Sequence, residues 1–296
     1  MNFDKYLADN KQTIIKCRKF LDDLDKTYFD HNIVNETELN DGTVSIVMTT
    51  HKREIQTFYT LDGIQASTYK NVQVIIIDDS PKPIEIAKFQ KYKYQIDYLF
   101  VKNKFWVNSC INYNLGFKFV KGNKVIIQNA EVCYFGDVVN YVANNLNNKE
   151  YLVFDVLRLA SMAENNIMYA HKVVEWQYIL NLQKKYSRLP IFWYQHHKVR
   201  NACYHFLTAI TKTDLISMNG FDIDFCLNPS YDDNEFIFRI INVCKLKVVN
   251  VICDIKVLGI HQWHTSAFGT NIQFNKMLYD RKTNEFKKTG KYITYH

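Results

Sequence analysis

Apolar and polar positions along this chain fall into blocks of two kinds. Leu7, Ile14, Leu21 and Tyr28 recur every seven residues, with Asn10, Cys17 and Leu24 on the companion seam, which predicts a helix over residues 1–30. Such a helix either packs on the body of the protein or pairs with a second copy as a short coiled coil. Packing is the expectation, because short isolated coiled coils are marginal. A break follows at Asn40-Asp41-Gly42. Beyond it, short apolar runs at 44–48, 72–77, 98–101 and 124–128 read as buried strands. Between them, helical periodicity covers 54–66, the neighbourhood of 84–93, and 107–120. Alternation of this kind predicts βαβ units and a mostly parallel sheet with helices on both faces. The pattern continues with a strand at 151–157, a helix at 172–186, a strand at 206–211 and a short helix at 212–218. Asn219-Gly220 closes that short helix as a C-cap. A helix then runs from Asp232 to about Cys244 with Phe236, Ile237, Ile240, Ile241 and Cys244 on one face. A late strand at 248–253 leads to Gly259-Ile260-His261. No internal repeat is visible. The expected organisation is an N-terminal helical extension (1–40), an α/β domain (41–270) and a C-terminal helical tail (271–296).

Composition supports this reading. The chain has 296 residues, 47% of them hydrophobic, with 20 Tyr and 20 Phe, enough for a sizeable core and against disorder. The first residues, MNFDKYLADNKQ, lack the apolar run of a signal peptide. No stretch is long and apolar enough to span a bilayer. A soluble, cytoplasmic protein is the expectation. Cysteines at 17, 110, 133, 203, 226, 244 and 253 form no metal-ligand spacing, which suggests buried thiols in a reducing compartment. The net charge of +7 suits an anionic substrate or an acidic surface; lysines are dispersed and no nucleic-acid motif appears, so nucleic acid is not an expected partner.

Three acidic stations carry the candidate chemistry. Ile75-Ile76-Ile77 ends in Asp78-Asp79-Ser80, Val125-Ile126-Ile127-Gln128 ends in Asn129-Ala130-Glu131, and Asp232-Asp233-Asn234-Glu235 opens a helix. In open α/β sheets ligands bind outside the carboxyl ends of the strands, and carboxylates there suit a hard divalent cation. Each station also has a plainer explanation. Asp and Ser favour strand-ending turns, and an Asp before an apolar helix is stabilised by the free N–H groups of the first turn.

Taken in order, VSIVMTTHKRE, VQVIIIDDS, GNKVIIQNAEV with Gly136-Asp137, HFLTAITKTDLISMNGFDIDF, YDDNEFIFRI and GIHQWH resemble the family 2 glycosyltransferases of the GT-A fold over about residues 43–268. The resemblance implies an α/β GT-A fold: a Rossmann-like mixed, mostly parallel sheet flanked by helices, here with an N-terminal helical extension. It also implies an inverting hexosyl- or N-acetylhexosaminyltransferase that uses a nucleotide sugar, with UDP the expected nucleotide, and Mn²⁺ or Mg²⁺. Position by position, Thr49, Arg53 and Asp79 would contact the base and Asn129 the ribose or a metal-bound water. Glu131 and His261 would hold the metal, with His264 the less favoured histidine. Asp233 would be the base and Asp232 would orient the acceptor hydroxyl. Trp193, Tyr194, His196, His205 and Trp263 fall in the region that faces acceptors in relatives, with Trp193, His205 and Trp263 the expected contacts. The Asp-x-Asp motif of the family is altered to Asn129-Ala130-Glu131, which removes one negative charge and puts the cation in question.

The expected partners are a nucleotide sugar, a saccharide, lipid-linked or protein acceptor, and a second copy of the chain through the N-terminal helix. Two rival readings follow from the same residues. One is a GT-A domain that binds nucleotide sugar or glycan without turnover. The other, a nucleotidyltransferase, normally needs a glycine-rich first loop, and VMTTHKRE has no glycine.

Overall fold

The computed structural model describes residues 3–170, 176–186, 190–265 and 272–295. The first helix, α1 (Phe3–Asp23), ends where Leu24 turns left-handed at φ 49°. The helix expected over 1–30 is therefore shorter, and Phe29–Val34 is a strand, β1. Ile14, Cys17, Phe20 and Leu21 of α1 are buried in the main core, so within the described chain the helix packs on the body of the protein.

The central sheet has eight strands. It takes in β2 (Val44–Thr50), β3 (Val72–Asp78), β4 (Gln95–Val101), β5 (Lys124–Asn129), β7 (Glu150–Phe154), β10 (Leu207–Thr211) and β11 (Lys247–Val251), in the order β1-β4-β3-β2-β5-β10-β7-β11. Strands β4, β3, β2 and β5 run parallel; β1 and β10 are antiparallel to their neighbours. Every residue of β3 is buried, as a strand covered on both faces requires, which is why it reads as an unbroken apolar run. A smaller sheet, β6-β12-β8-β9, stands beside it, built from β6 (Val132–Phe135), β8 (Val156–Arg158), β9 (Trp193–Gln195) and β12 (Leu258–His261).

The helices are α2 (Glu54–Gln65), α3 (Cys110–Phe117), α4 (Val138–Asn145), α5 (Met162–Ala170), α6 (Trp176–Tyr186), α7 (Lys212–Ser217), α8 (Asp232–Phe238) and α9 (Gln273–Thr289). The helix expected near 84–93 is only a 3₁₀ turn at Ile86–Phe89; Ile84, Phe89, Tyr92 and Tyr94 reach the core from an irregular path. The helix expected to reach Cys244 leaves α geometry at Arg239 and continues as one π-helical turn, Arg239–Val243. Of the helix expected over 172–186, residues 172–175 lie outside the described residues. Among the described residues no helix is long and apolar enough to cross a membrane.

Candidate active site

Because β2, β3 and β5 are parallel and in register, their carboxyl ends share one edge of the sheet. Thr49 faces Ile77 on one side and Asn129 on the other, and Thr50 faces Asp78. Over that edge lies a cleft of about 480 Å³ lined by Thr49, His51, Arg53, Asp79, Lys104, Asn108, Asn112, Tyr113, Asn129, Glu131 and Asp232, among others. Residues up to 183 positions apart in sequence, Thr49 to Asp232, thus share one concave surface.

Asp78 and Asp79 divide the labour of their turn. Asp78 is fully buried, accepting from Tyr98 Oη (2.6 Å) and Ser80 N (2.9 Å), and so is structural. Asp79 faces the cleft and accepts from Lys104 Nζ (2.5 Å) and Asn112 Nδ2 (3.0 Å), with His51 Nδ1 at 2.9 Å. Burial pushes its carboxyl up, but Lys104, Asn112 and His51 outweigh burial and hold it below its ordinary value. Asn129 accepts from Tyr113 Oη at 3.1 Å.

Glu131 meets the histidines because β6 and β12 pair antiparallel with His261 opposite Val132. Gln262 fastens the junction by donating its backbone N–H (3.0 Å) and side-chain amide (3.1 Å) to Glu131 O. Glu131 Oε1 then lies 3.6 Å from His261 Nε2, 3.3 Å from His264 Nε2 and 3.5 Å from Arg53 Nε. Arg53, expected on the base, lines the cleft and is the cationic neighbour of this carboxylate. Burial would raise Glu131, yet the two histidines and Arg53 hold it well below the carboxylate range. Burial, together with His264 and Arg53, lowers His261 against the pull of Glu131. Both shifts fit a carboxylate beside a neutral imidazole, the ligating form of histidine. The Nδ1 of His264 lies 2.9 Å from Thr265 O, which fixes the ring with Nε2 turned to Glu131.

Asp232 and Asp233 begin α8. The residue before them, Tyr231, sits left-handed (φ 66°) at the N-cap and no side chain caps the helix, so neither Asp is held there as a capping residue. Ser230 is left-handed as well (φ 69°). Two adjacent non-glycine residues in this conformation are costly and persist only where surroundings enforce them. Asn275 Nδ2 from α9 donates to Ser230 O (2.8 Å) and Asn228 O (2.6 Å), while Asn108 Nδ2 donates to Asn228 O (3.0 Å) and to Asp232 Oδ1 (3.0 Å). Burial, then the charge of Asp233, pushes Asp232 up to about 6. Asp233 is partly exposed and pairs with His205 Nδ1, for which no other partner exists among the described residues. Burial lowers His205, but the charges of Asp233 and Asp232 prevail and raise it.

The residues expected at the acceptor separate. Trp193 is 2% exposed and packs in the core with Leu157, Ile179 and Ile260, so that expectation is corrected: a strand residue pointing inward cannot reach a ligand. His205 is buried between Tyr113 and Phe221 and addresses Asp233 rather than an open surface. Trp263 is half-buried against the same core as Trp193, its peptide clamped by Asn165, which donates to Trp263 O and accepts from Trp263 N at 2.8 Å each. His196 stacks on His197 at 4.5 Å. Sequence reasoning missed His51, Lys104, Asn108 and Asn112. His51 stood in the turn after β2 and could have been found there; the others lie in a segment whose spacing signals nothing.

A sequence model of the glycosyl transferase family 2 matches residues 45–207, more than half of the chain. The chain belongs to glycosyl transferase family 2. Among solved structures, this family 2 chain is similar to S. aureus TarS 1-349 in complex with UDP-GlcNAc, at TM-score 0.53 and 11% identity, covering 80% of this chain and 65% of that one. It is also similar to the mannosyltransferase PcManGT from Pyrobaculum calidifontis in complex with GDP-Man and Mn²⁺, at TM-score 0.45 and 12% identity, covering 98% of this chain and 74% of that one. The likeness to TarS gives the fold: GT-A, a mixed α/β sheet with helices on both faces and an N-terminal helix. A search of curated proteins finds no sequence match.

Proposed function

We propose that this family 2 transferase moves a hexosyl or N-acetylhexosaminyl group, with inversion, from a UDP-sugar to a hydroxyl of a saccharide, lipid-linked or protein acceptor. The observation that carries the reading is the single cleft over the carboxyl ends of parallel strands, which brings Asp79, Asn129 and Glu131 together with Asp232 of α8. The TarS structure holds UDP-GlcNAc, which favours a uridine nucleotide. Residues 41–270 form the proposed transferase unit, with β1 added to its sheet by the preceding segment.

In this scheme Asp79 accepts from the uracil ring N–H, Thr49 and Asn129 line the ribose, and Lys104 and Arg53 supply positive charge towards the diphosphate. Glu131, His261 and His264 fit a divalent ion: their ligand atoms lie within 4.8 Å of one another. One carboxylate with two imidazoles suits Mn²⁺ better than Mg²⁺. Such an ion, when bound, neutralises the leaving diphosphate. Asp233 takes the proton of the attacking hydroxyl as the new bond forms, and His205, fixed by Tyr113 and Phe221, holds its carboxylate in place. Asp232 faces the cleft and orients the hydroxyl.

The test is Asp233→Asn with a panel of UDP-sugars. Transfer should fall by about 10²–10⁴, typical for losing a general base, while UDP affinity by calorimetry stays as in wild type. Near wild-type transfer would remove Asp233 from the role. Wild-type protein that binds UDP equally in Mn²⁺ and in EDTA would remove the metal. Binding of UDP-sugar without any turnover would favour a non-catalytic binding domain, a reading to which the Arg53–Glu131 pair gives some support, since the guanidinium already neutralises the carboxylate.

A further inference from the structure

Strand β9 meets β8 across a bulge: Val156 pairs with Gln195 and Leu157 with Trp193, so Tyr194 is the extra residue. Bulges re-aim a side chain, and they recur beside active sites. Trp193 and Gln195 are buried, whereas Tyr194 turns to the other side, its ring 4.2 Å from that of His261 and 4.7 Å from that of Phe206. Two guanidinium groups attend this ring, Arg158 at 5.8 Å and Arg200 at 5.7 Å from its centroid. Arg158 ends β8 directly opposite His261 of β12, which puts the two side chains on one face of the small sheet.

Both arginines are half-buried, and among the described residues neither has a carboxylate partner. Arg200 spends one N–H on Trp193 O (2.9 Å); Arg158 makes no side-chain hydrogen bond there. Contrast the other arginines of the site region: Arg53 sits on Glu131 and Arg239 on Glu235. A guanidinium presents planar, paired donors that match phosphate or carboxylate oxygens. Two of them, half out of water and without a carboxylate partner among the described residues, attend the same ring.

The row continues towards the base. Phe206 lies 6.1 Å from Tyr204, and Tyr204 Oη accepts from Asn234 Nδ2 at 2.6 Å, next to Asp233 on α8. Aromatic faces of this kind stack on sugar C–H surfaces. We propose that Arg158 and Arg200 bind an anionic group, phosphate or carboxylate, of the acceptor, whose sugar lies along Tyr194, Phe206 and Tyr204 towards Asp233. This rests on the reading of Asp233 as base and of the cleft as the donor site.

Inorganic phosphate is the probe, because it makes no stereochemical demand. It is titrated at constant ionic strength into wild type, Arg158→Gln and Arg200→Gln, each with and without saturating UDP and Mn²⁺. Saturable phosphate binding is expected in wild type with UDP present. Each variant should weaken it by about 10-fold, the effect of losing one charge-assisted hydrogen bond, with UDP affinity unchanged. Arg158→Gln alone suffices should loss of the Arg200–Trp193 contact unfold the chain. No saturable binding in wild type, or binding as tight in both variants as in wild type, overturns the proposal. Phosphate displaced by UDP, or variants that lose UDP affinity, would assign the arginines to the donor diphosphate and overturn it too. A wild type that binds phosphate but no UDP would instead refute the donor reading, leaving the anion site standing.

Discussion

Asp232 binds its proton more tightly in the fold than it would unfolded, because burial and the neighbouring Asp233 push it from 3.8 up to about 6. The fold therefore holds more protons than the unfolded chain between those values. Its stability falls as pH rises through that window and stays lower above it. Asp232→Asn removes the titration while its Oδ1 still accepts from Asn108. Parallel thermal melts should place the variant a few degrees above wild type at about pH 8, the effect of roughly 1–2 kcal/mol in a chain of this size, with the gap closing by about pH 4. A gap that does not change with pH would mean that packing, not ionisation, separates the two proteins. At this scale the acids themselves were legible, since runs such as Ile75-Ile76-Ile77-Asp78-Asp79 announce a strand end. Their division of labour was not. Asp78 turns inward to Tyr98 and Asp79 outward to Lys104, and nothing local distinguishes two adjacent aspartates until their neighbours are in place.

Among the elements, the loop from α3 to β5 shows how little room the sheet edge leaves. A Cβ on Gly122 would lie 1.8 Å from Thr43 O, a backbone atom that cannot step aside. Gly122 N also donates to Ser45 Oγ at 3.0 Å, fixing the loop against β2. Gly122→Ala should cost about 3 kcal/mol or more, as forced overpacking does, seen as a lower urea midpoint at unchanged slope. Gly116→Ala in α3 should cost less, because its Cβ would press on the side-chain ends of Ile77 and Val47. An equal loss in both would contradict the backbone clash. Strands β2, β3 and β5 were readable because burial on both faces gives unbroken apolar runs. The segment 84–93 was misread as a helix because Ile84, Phe89 and Tyr92 are buried at helix-like spacing without forming one.

Across the whole molecule, the end of the chain is wired to the helix that carries Asp233. Lys282 of α9 is fully buried and donates to Asp222 Oδ2 (2.7 Å), Asp224 Oδ2 (2.6 Å) and Ile293 O (2.9 Å). Tyr292 Oη lies between Asp222 Oδ2 (2.7 Å) and Glu235 Oε1 (2.6 Å), and Glu235 pairs with buried Arg239. Burial and Asp222 raise Asp224, against the opposing pull of Lys282. Lys282→Met leaves Asp222 and Asp224 without the buried ammonium that bridges them and should destabilise the protein by about 3–5 kcal/mol in denaturant titration. A loss below about 1 kcal/mol would show that the C-terminal helix does not brace α8 in this way.

The sequence by itself determined the alternation of buried strands and helices, the parallel sheet, and the three acidic stations at element ends. These are properties of periodicity and of turn chemistry, which act over a few residues. Only the tertiary structure decided which of those residues meet. Glu131 faces His261 and His264 because β6 and β12 pair in one register, and a slip of one residue would turn His261 away. His205 reaches Asp233 because β10 begins beside the first turn of α8, across a sequence gap that no local pattern spans. Arg158, Tyr194 and Arg200 gather because a bulge in β9 turns one tyrosine outward. Trp193, one position earlier, goes into the core for the same reason: along a strand, neighbouring side chains take opposite faces, and which face is inside depends on what packs against it.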